Sequence, residues 1–216
     1  MNQELREIFR EGATDIGSPL SDAQVHEFEV YLTELKKWNK KINLTSLRED
    51  IDIIVKHFLD SLTPLPLIGM GRFVLDMGSG GGLPGIPMKI ARPDIRLLLL
   101  DSTGKKVSFL NHMIRLLKFK NARALQQRAE SQMFQDVMAG HVDAVVARAF
   151  GATDKTLEAG SPFLKPGGIL IAMKGPRWEE DAGANKKIAR LKQIDTIHLQ
   201  LPHLGDKRTL LVYEKT

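Results

Sequence analysis

Asp76-Met77-Gly78-Ser79-Gly80-Gly81-Gly82-Leu83-Pro84-Gly85 sets four glycines in the five residues from Gly78. The run Phe73-Val74-Leu75-Asp76-Met77 that leads into it is apolar, of strand length, and closes on an acid. The stretch behind it, Ile86 to Ala91, reads as helix. Strand, glycine loop and helix open a βαβ unit. In open α/β sheets, ligands bind outside the carboxyl ends of the strands. Glycine permits positive φ and close approach of backbone to a ligand. Four of them exceed what a tight turn requires.

The same alternation continues towards the C-terminus. Arg96 to Asp101 is a second buried strand that ends on an acid, and Lys105 to Leu117 is an amphipathic helix. Strands are predicted at Ala122–Gln126, Val142–Ala147 and Ile169–Met173. A helix is predicted from Lys155 to Leu164, closed by the turn Lys165-Pro166-Gly167-Gly168, and a polar helix from Glu179 to Ile194. Thr196–Leu201 and Thr209–Tyr213 follow as two strands with no helix between them. Alternating strands and helices predict a mostly parallel sheet covered on both faces. Two strands in direct succession predict an antiparallel one near the end, since parallel strands need a long crossover.

Before Arg72 the pattern is helical. Leu5, Ile8 and Phe9 form one stripe, and Val25, Phe28, Leu32 and Leu35 another. Ser21 with Gln24 three residues on predicts a capping box. Ile51 to Leu62 reads as a further helix that stops before Pro64 and Pro66. The chain therefore divides into a helical extension, 1–70, and an α/β domain, 71–216.

The 216 residues contain no cysteine, which excludes disulfides, thiolate metal sites and cysteine nucleophiles. The histidines show no metal-ligand spacing, and no metal is assigned. No apolar run approaches the ~18 residues of a membrane span. Met1 to Gly12 lacks the layout of a signal peptide. These features predict a cytoplasmic protein with no membrane partner. Net charge is +5, unevenly placed. Residues 1–70 carry eight Lys/Arg against twelve Asp/Glu, a net of −4, and the remainder carries +9. A basic α/β domain suits an anionic partner such as nucleic acid.

The glycine loop admits two nucleoside cofactors. Gly80, Gly82 and Gly85 satisfy the dinucleotide fingerprint G-x-G-x-x-G, which keeps an NAD-dependent oxidoreductase open. Gly78, Gly80 and Gly82 behind Asp76 resemble motif I of the class I S-adenosylmethionine-dependent methyltransferases. Asp101 suits ribose hydroxyls in either family; it also suits a helix cap. The turn before the fifth strand and the closing strand pair favour the methyltransferases. The position of their [DN]-P-P-[YFW] box, found in enzymes that methylate adenine amino groups, reads Ala147-Arg148-Ala149-Phe150. That disfavours amino-group chemistry, and the missing cysteine excludes covalent attack on cytosine. A ring nitrogen with a free lone pair, such as guanine N7, needs neither device.

Longer stretches carry a closer resemblance. They are Trp38-Asn39-Lys40-Lys41-Ile42-Asn43-Leu44-Thr45, His57-Phe58-Leu59-Asp60-Ser61-Leu62, Asp76 through Pro87, Leu100 through Lys106, Arg148-Ala149-Phe150 and Met173-Lys174-Gly175. In this order they resemble the ribosomal RNA small subunit methyltransferase G family, also called glucose-inhibited division protein B. The resemblance implies a Rossmann-like class I fold of seven strands with a reversed last strand. It implies N7 methylation of a guanine in the decoding-region loop of 16S ribosomal RNA, with S-adenosylmethionine as donor. It places cofactor contacts on Gly78, Leu83, Asp101, Ser102, Ala129, Glu130 and Arg148. Arg148, Lys174 and Asn43 are expected at the RNA. No catalytic base is expected, because N7 loses no proton, and His57 with Asp60 reads as a structural pair. A guanidinium repels a sulfonium, so Arg148 is expected to face the cofactor carboxylate, a phosphate or guanine O6. A monomer acting on 16S ribosomal RNA or the small subunit is the expected assembly. An RNA-binding protein that keeps the fold without catalysis is the remaining alternative.

Overall fold

The structure is a computed structural model and describes residues 1–176, 178 and 190–216. Two long helices open the chain. Helix α1 spans Gln3–Asp15, and Asn2 caps it by accepting from Leu5 N at 2.9 Å. Helix α2 spans Asp22–Ile42 behind the expected capping box: Gln24 N donates to Ser21 Oγ and Ser21 N to Gln24 Oε1. Lys40 and Lys41 occupy its last turn, where cations suit the helix dipole. The predicted helix 51–62 is real but not uniform. It runs as α3 (Asp50–Ile53), a π-helical turn (Ile54–Leu59) and α4 (Asp60–Leu62).

The sheet contains β1 (Phe73–Met77), β2 (Arg96–Asp101), β3 (Ala122–Gln126), β4 (Val142–Arg148), β5 (Leu164–Lys174), β6 (Leu191–Gln200) and β7 (Lys207–Lys215). Its order is β3-β2-β1-β4-β5-β7-β6. The first five strands run parallel to one another, and β7 runs antiparallel to both β5 and β6. Helices α5 (Gly85–Ala91), α6 (Gly104–Leu116), α7 (Gln132–Met138) and α8 (Thr153–Gly160) connect the parallel strands.

Alternation along the strands sorts the core into two layers. Val74, Leu97, Leu99, Ala144, Val146, Ile171 and Val212 face one cluster, and it also holds Phe9, Phe28, Tyr31, Phe58 and Phe109. Leu75, Met77, Leu98, Leu100, Val145, Leu170 and Leu211 face the other, with Phe134 and Phe163. The N-terminal helices therefore cover one face of the sheet and share its core. Phe9 and Phe28 meet edge to face at 4.7 Å, and Tyr31 stacks on Phe58 at 5.1 Å. Gln24 adds a polar tie: its Nε2 donates to Ile90 O and Ala91 O at the end of α5.

Four elements differ from expectation. The helix predicted to Leu164 ends at Gly160 and gives way to a 3-10 turn, Ser161–Phe163, because Pro162 lacks the donor a helix needs. Strand β5 begins earlier than expected. Leu164 pairs with Val142 and Ile169 with Ala144, so Lys165-Pro166-Gly167-Gly168 bulges within the strand. Helix α7 was not anticipated. Strand β6 starts at Leu191, where helix was expected to continue; the rest of that helix, 179–189, lies outside the described residues.

Candidate active site

The glycine loop leaves β1 at the carboxyl edge of the sheet. Gly78 and Ser79 both donate to Leu100 O, at 2.9 and 2.8 Å, which turns the chain across the end of β2. Gly78 has φ +77 and Gly82 φ +89, both in the left-handed region that favours glycine. A Cβ on Gly82 would stand 2.3 Å from Ile86 Cδ1, so this turn is also closed to larger residues by space. From below, Tyr31 of α2 donates to Gly81 O at 2.5 Å. From within, Asp76 Oδ2 accepts from Gly85 N at 2.9 Å. Burial raises the Asp76 carboxyl to about 7 against the help of Gly85 and Ser79, and its Oδ1 is buried with no partner among the described residues.

Asp101 ends β2 and joins the loop directly. Its Oδ2 accepts from Gly80 N at 2.9 Å and its Oδ1 from Thr103 N at 2.8 Å. Each carboxylate oxygen keeps a second lone pair for a ligand donor. A cleft of about 190 Å³ opens here, lined by Gly78, Asp101, Ser102, Ala129, Glu130 and Phe150 among others. The structure thus brings together five of the seven residues expected at the cofactor. Leu83 is buried in the core that the helical segment shares and lines no part of this cleft. Arg148 lies next door.

A second cavity of about 360 Å³ borders the loop that follows β4, with Asp60, Arg148, Lys174 and Arg208 in its walls. Arg148 is drawn to the π-helical turn. Its Nη1 donates to Lys56 O at 3.0 Å and Asp60 Oδ2 at 3.2 Å, and its Nη2 reaches His57 Nδ1 at 3.1 Å. Arg208 Nε lies 3.3 Å from the same Asp60 oxygen. A buried carboxylate demands counter-ions, and Asp60, 4% exposed, takes two. Its Oδ1 has no partner among the described residues.

The guanidinium also fixes the histidine. Arg148 can only donate, and both its Nη2 and Lys56 O lie 3.1 Å from His57 Nδ1, while Nε2 meets Thr45 Oγ1 at 2.6 Å, so both ring nitrogens are engaged. Burial, then the Arg148 charge, lower the imidazole to about 3. Thr45 is itself placed by Asn39, whose Oδ1 accepts from Leu44 N and Thr45 N. Asn39, Thr45 and Arg208 escaped sequence reasoning as site residues. The first two stand inside a quoted motif, but nothing in their spacing points to His57.

The remaining residues expected at the RNA are placed differently from one another. Lys174 Nζ donates to Gly151 O at 2.9 Å and so holds the loop after β4. Asn43 is the left-handed C-cap of α2, φ +49, and borders neither cavity.

Comparison with known proteins gives this geometry a family. The family model described as rRNA small subunit methyltransferase G matches residues 24–211. The chain belongs to the rRNA small subunit methyltransferase G family. A member from Geobacter metallireducens is 36% identical over 215 residues, covering 98% of this chain and 97% of its own. One from Geotalea uraniireducens is 39% identical over 220 residues, 100% and 99% covered. A crystal structure of a SAM-dependent methyltransferase from Aquifex aeolicus shares the fold, with a TM-score of 0.58 at 15% identity, covering 86% of this chain and 98% of that one. This rRNA small subunit methyltransferase G family member is an enzyme, its cofactor is S-adenosylmethionine, and the dinucleotide alternative falls away. The site fits that cofactor: a glycine at Gly78 bares backbone to the cleft, Asp101 and Glu130 bring carboxylate acceptors, and beneath the loop Asp76 keeps a buried oxygen without a partner among the described residues.

Proposed function

We propose that this enzyme methylates N7 of a guanine in the decoding-region loop of 16S ribosomal RNA. One observation carries the choice of N7: the histidine and the carboxylate beside the larger cavity, His57 and Asp60, are both held by arginine. His57 has both ring nitrogens engaged, Nδ1 by Arg148 and Lys56 O and Nε2 by Thr45, and Asp60 Oδ2 is shared by two guanidiniums. Asp60 keeps one oxygen without a partner among the described residues, but two guanidiniums hold the carboxylate as their counter-ion, and N7 has no proton to lose. The cofactor supplies an electrophilic methyl on a sulfonium sulfur. The chain supplies placement and charge, which is where the rate of such a transfer comes from.

In this reading Gly78, Asp101, Ser102, Ala129 and Glu130 hold the adenosine part. Arg148, kept on Asp60, stays off the sulfonium and off N7, and the cationic rim of Arg148, Arg208 and Lys174 receives the RNA. The division into an extension, 1–70, and a methyltransferase domain, 71–216, and a cytoplasmic monomer as the acting form, belong to the same proposal. Incubation with small subunits and labelled S-adenosylmethionine, followed by mass mapping of the 16S RNA, tests it. 7-Methylguanosine is the expected product; methylation of an exocyclic amine, a ribose or a cytosine carbon would overturn the reading.

A further inference from the structure

Phe150 has no part in the mechanism above, yet its place is unusual. It stands where amino-group methyltransferases carry the aromatic of [DN]-P-P-[YFW], and of that box only the aromatic survives here. Its ring lies on the glycine loop: a Cβ on Gly78 would meet Phe150 Cδ2 at 2.7 Å. Ala149 at φ +52 and Gly151 at φ +116 flank it, so the loop turns sharply on both sides of the ring. Phe150 borders the cleft of Asp101 and Glu130, and its two neighbours border the cavity of Asp60, Arg148 and Arg208. Lys174 pins the loop through Gly151 O. One flat apolar ring, only half-buried, thus sits at the boundary between the donor cleft and the cationic cavity.

We propose that Phe150 is the surface on which the substrate guanine stacks. Enzymes that act on an unstacked base hold it against aromatic or apolar side chains, and single-stranded RNA is read in this way. Charge development adds a second reason. Methylation at N7 turns a neutral purine into a cation, and the face of an aromatic ring attracts cations. The stacked contact therefore strengthens as the methyl is transferred, and only interactions stronger in the transition state accelerate the step. The arginines bordering that cavity cannot supply this, because they repel the forming charge.

The inference rests on the guanine-N7 reading, and the test separates the two. Full-length Phe150→Tyr, Phe150→Leu and Phe150→Ala are assayed on small subunits for kcat and KM, with S-adenosylmethionine affinity measured by calorimetry. Phe150→Tyr keeps the ring and stays within about threefold of wild type. Phe150→Leu and Phe150→Ala lose about 10- to 100-fold in kcat/KM, and cofactor affinity falls far less than the rate, since the ring only borders the donor cleft. Leucine performing as well as phenylalanine would overturn the proposal, since bulk alone would then suffice. So would a fall in cofactor affinity that matches the fall in rate, since the ring would then be a wall of the donor cleft. Should Phe150→Ala fail to fold, the Tyr and Leu pair decides. A wild-type reaction that yields no 7-methylguanosine would overturn the underlying reaction, and the stacking role with it.

Discussion

Asp101 shows how one side chain serves both local structure and ligand. It accepts from Gly80 N and Thr103 N, so it ties the glycine loop to the start of α6. Asp101→Ala should weaken S-adenosylmethionine binding by about 1.5–3 kcal/mol, the worth of charge-assisted hydrogen bonds; calorimetry checks it, and unchanged affinity would leave Asp101 a structural tie only. His57 and Asp76 act on stability in opposite directions. The imidazole is lowered from its usual 6.5 to about 3, so between those values the unfolded chain binds a proton that the native state refuses, and acidification destabilises. The Asp76 carboxyl is raised from 3.8 to about 7, so over that range the native state binds the extra proton, and acidification stabilises. Between about pH 4.5 and 6.5 the two largely offset. His57→Gln removes one side of the balance and should gain stability on acidification in that window, by up to ~1.4 kcal/mol per pH unit. Urea unfolding at pH 6.5 and 5 reads the sign. Asp101 was legible in sequence because it ends a strand behind a glycine loop. The Arg148–Asp60–Arg208 cluster was not, because its members come from a helical turn and two strands far apart in the chain, and each alone looks like an ordinary charge.

The same contrast holds among the elements. Helix α2 was legible through its capping box and its apolar stripe, and both are present. Helix α7 was not, because only Phe134 is buried in it while Met133 and Val137 stand exposed, which leaves no stripe to read. The π-helical turn has no side-chain signature either; it is a matter of backbone register. Its effect is to bring Lys56 O, His57 and Asp60 onto one guanidinium. Helix α2 holds the glycine loop through the Tyr31 hydroxyl, with Leu35 packed beside Gly81. Tyr31→Phe removes the donor to Gly81 O and leaves a buried carbonyl without it. That should cost about 1–3 kcal/mol of stability, measurable as a lower urea midpoint with an unchanged slope. Phe58→Ala, at the centre of the aromatic cluster, should cost about 3–5 kcal/mol by leaving a cavity.

For the whole molecule the decisive features are charge and the way the sheet is closed. The acidic segment, 1–70, and the basic remainder suit an interface on the α/β side, so association with 16S RNA should weaken steeply as salt rises. Titration from 50 to 200 mM salt measures the slope, and a flat response would argue against phosphate contacts as the main term. Parallel order, both helical layers and the late antiparallel strand were legible from the alternation of elements. The fusion of the N-terminal helices with the core of the sheet was not, because an apolar stripe does not name its partner. Strand β7 lies between β5 and β6, and among the described residues β6 pairs with β7 alone. Any fluctuation that frees β7 from β5 therefore carries β6 away with it, and with them Arg208 leaves Asp60. The amides of β6 should exchange with solvent at least as fast as those of β7, and an RNA that grips Arg208 should slow exchange in a strand it never touches.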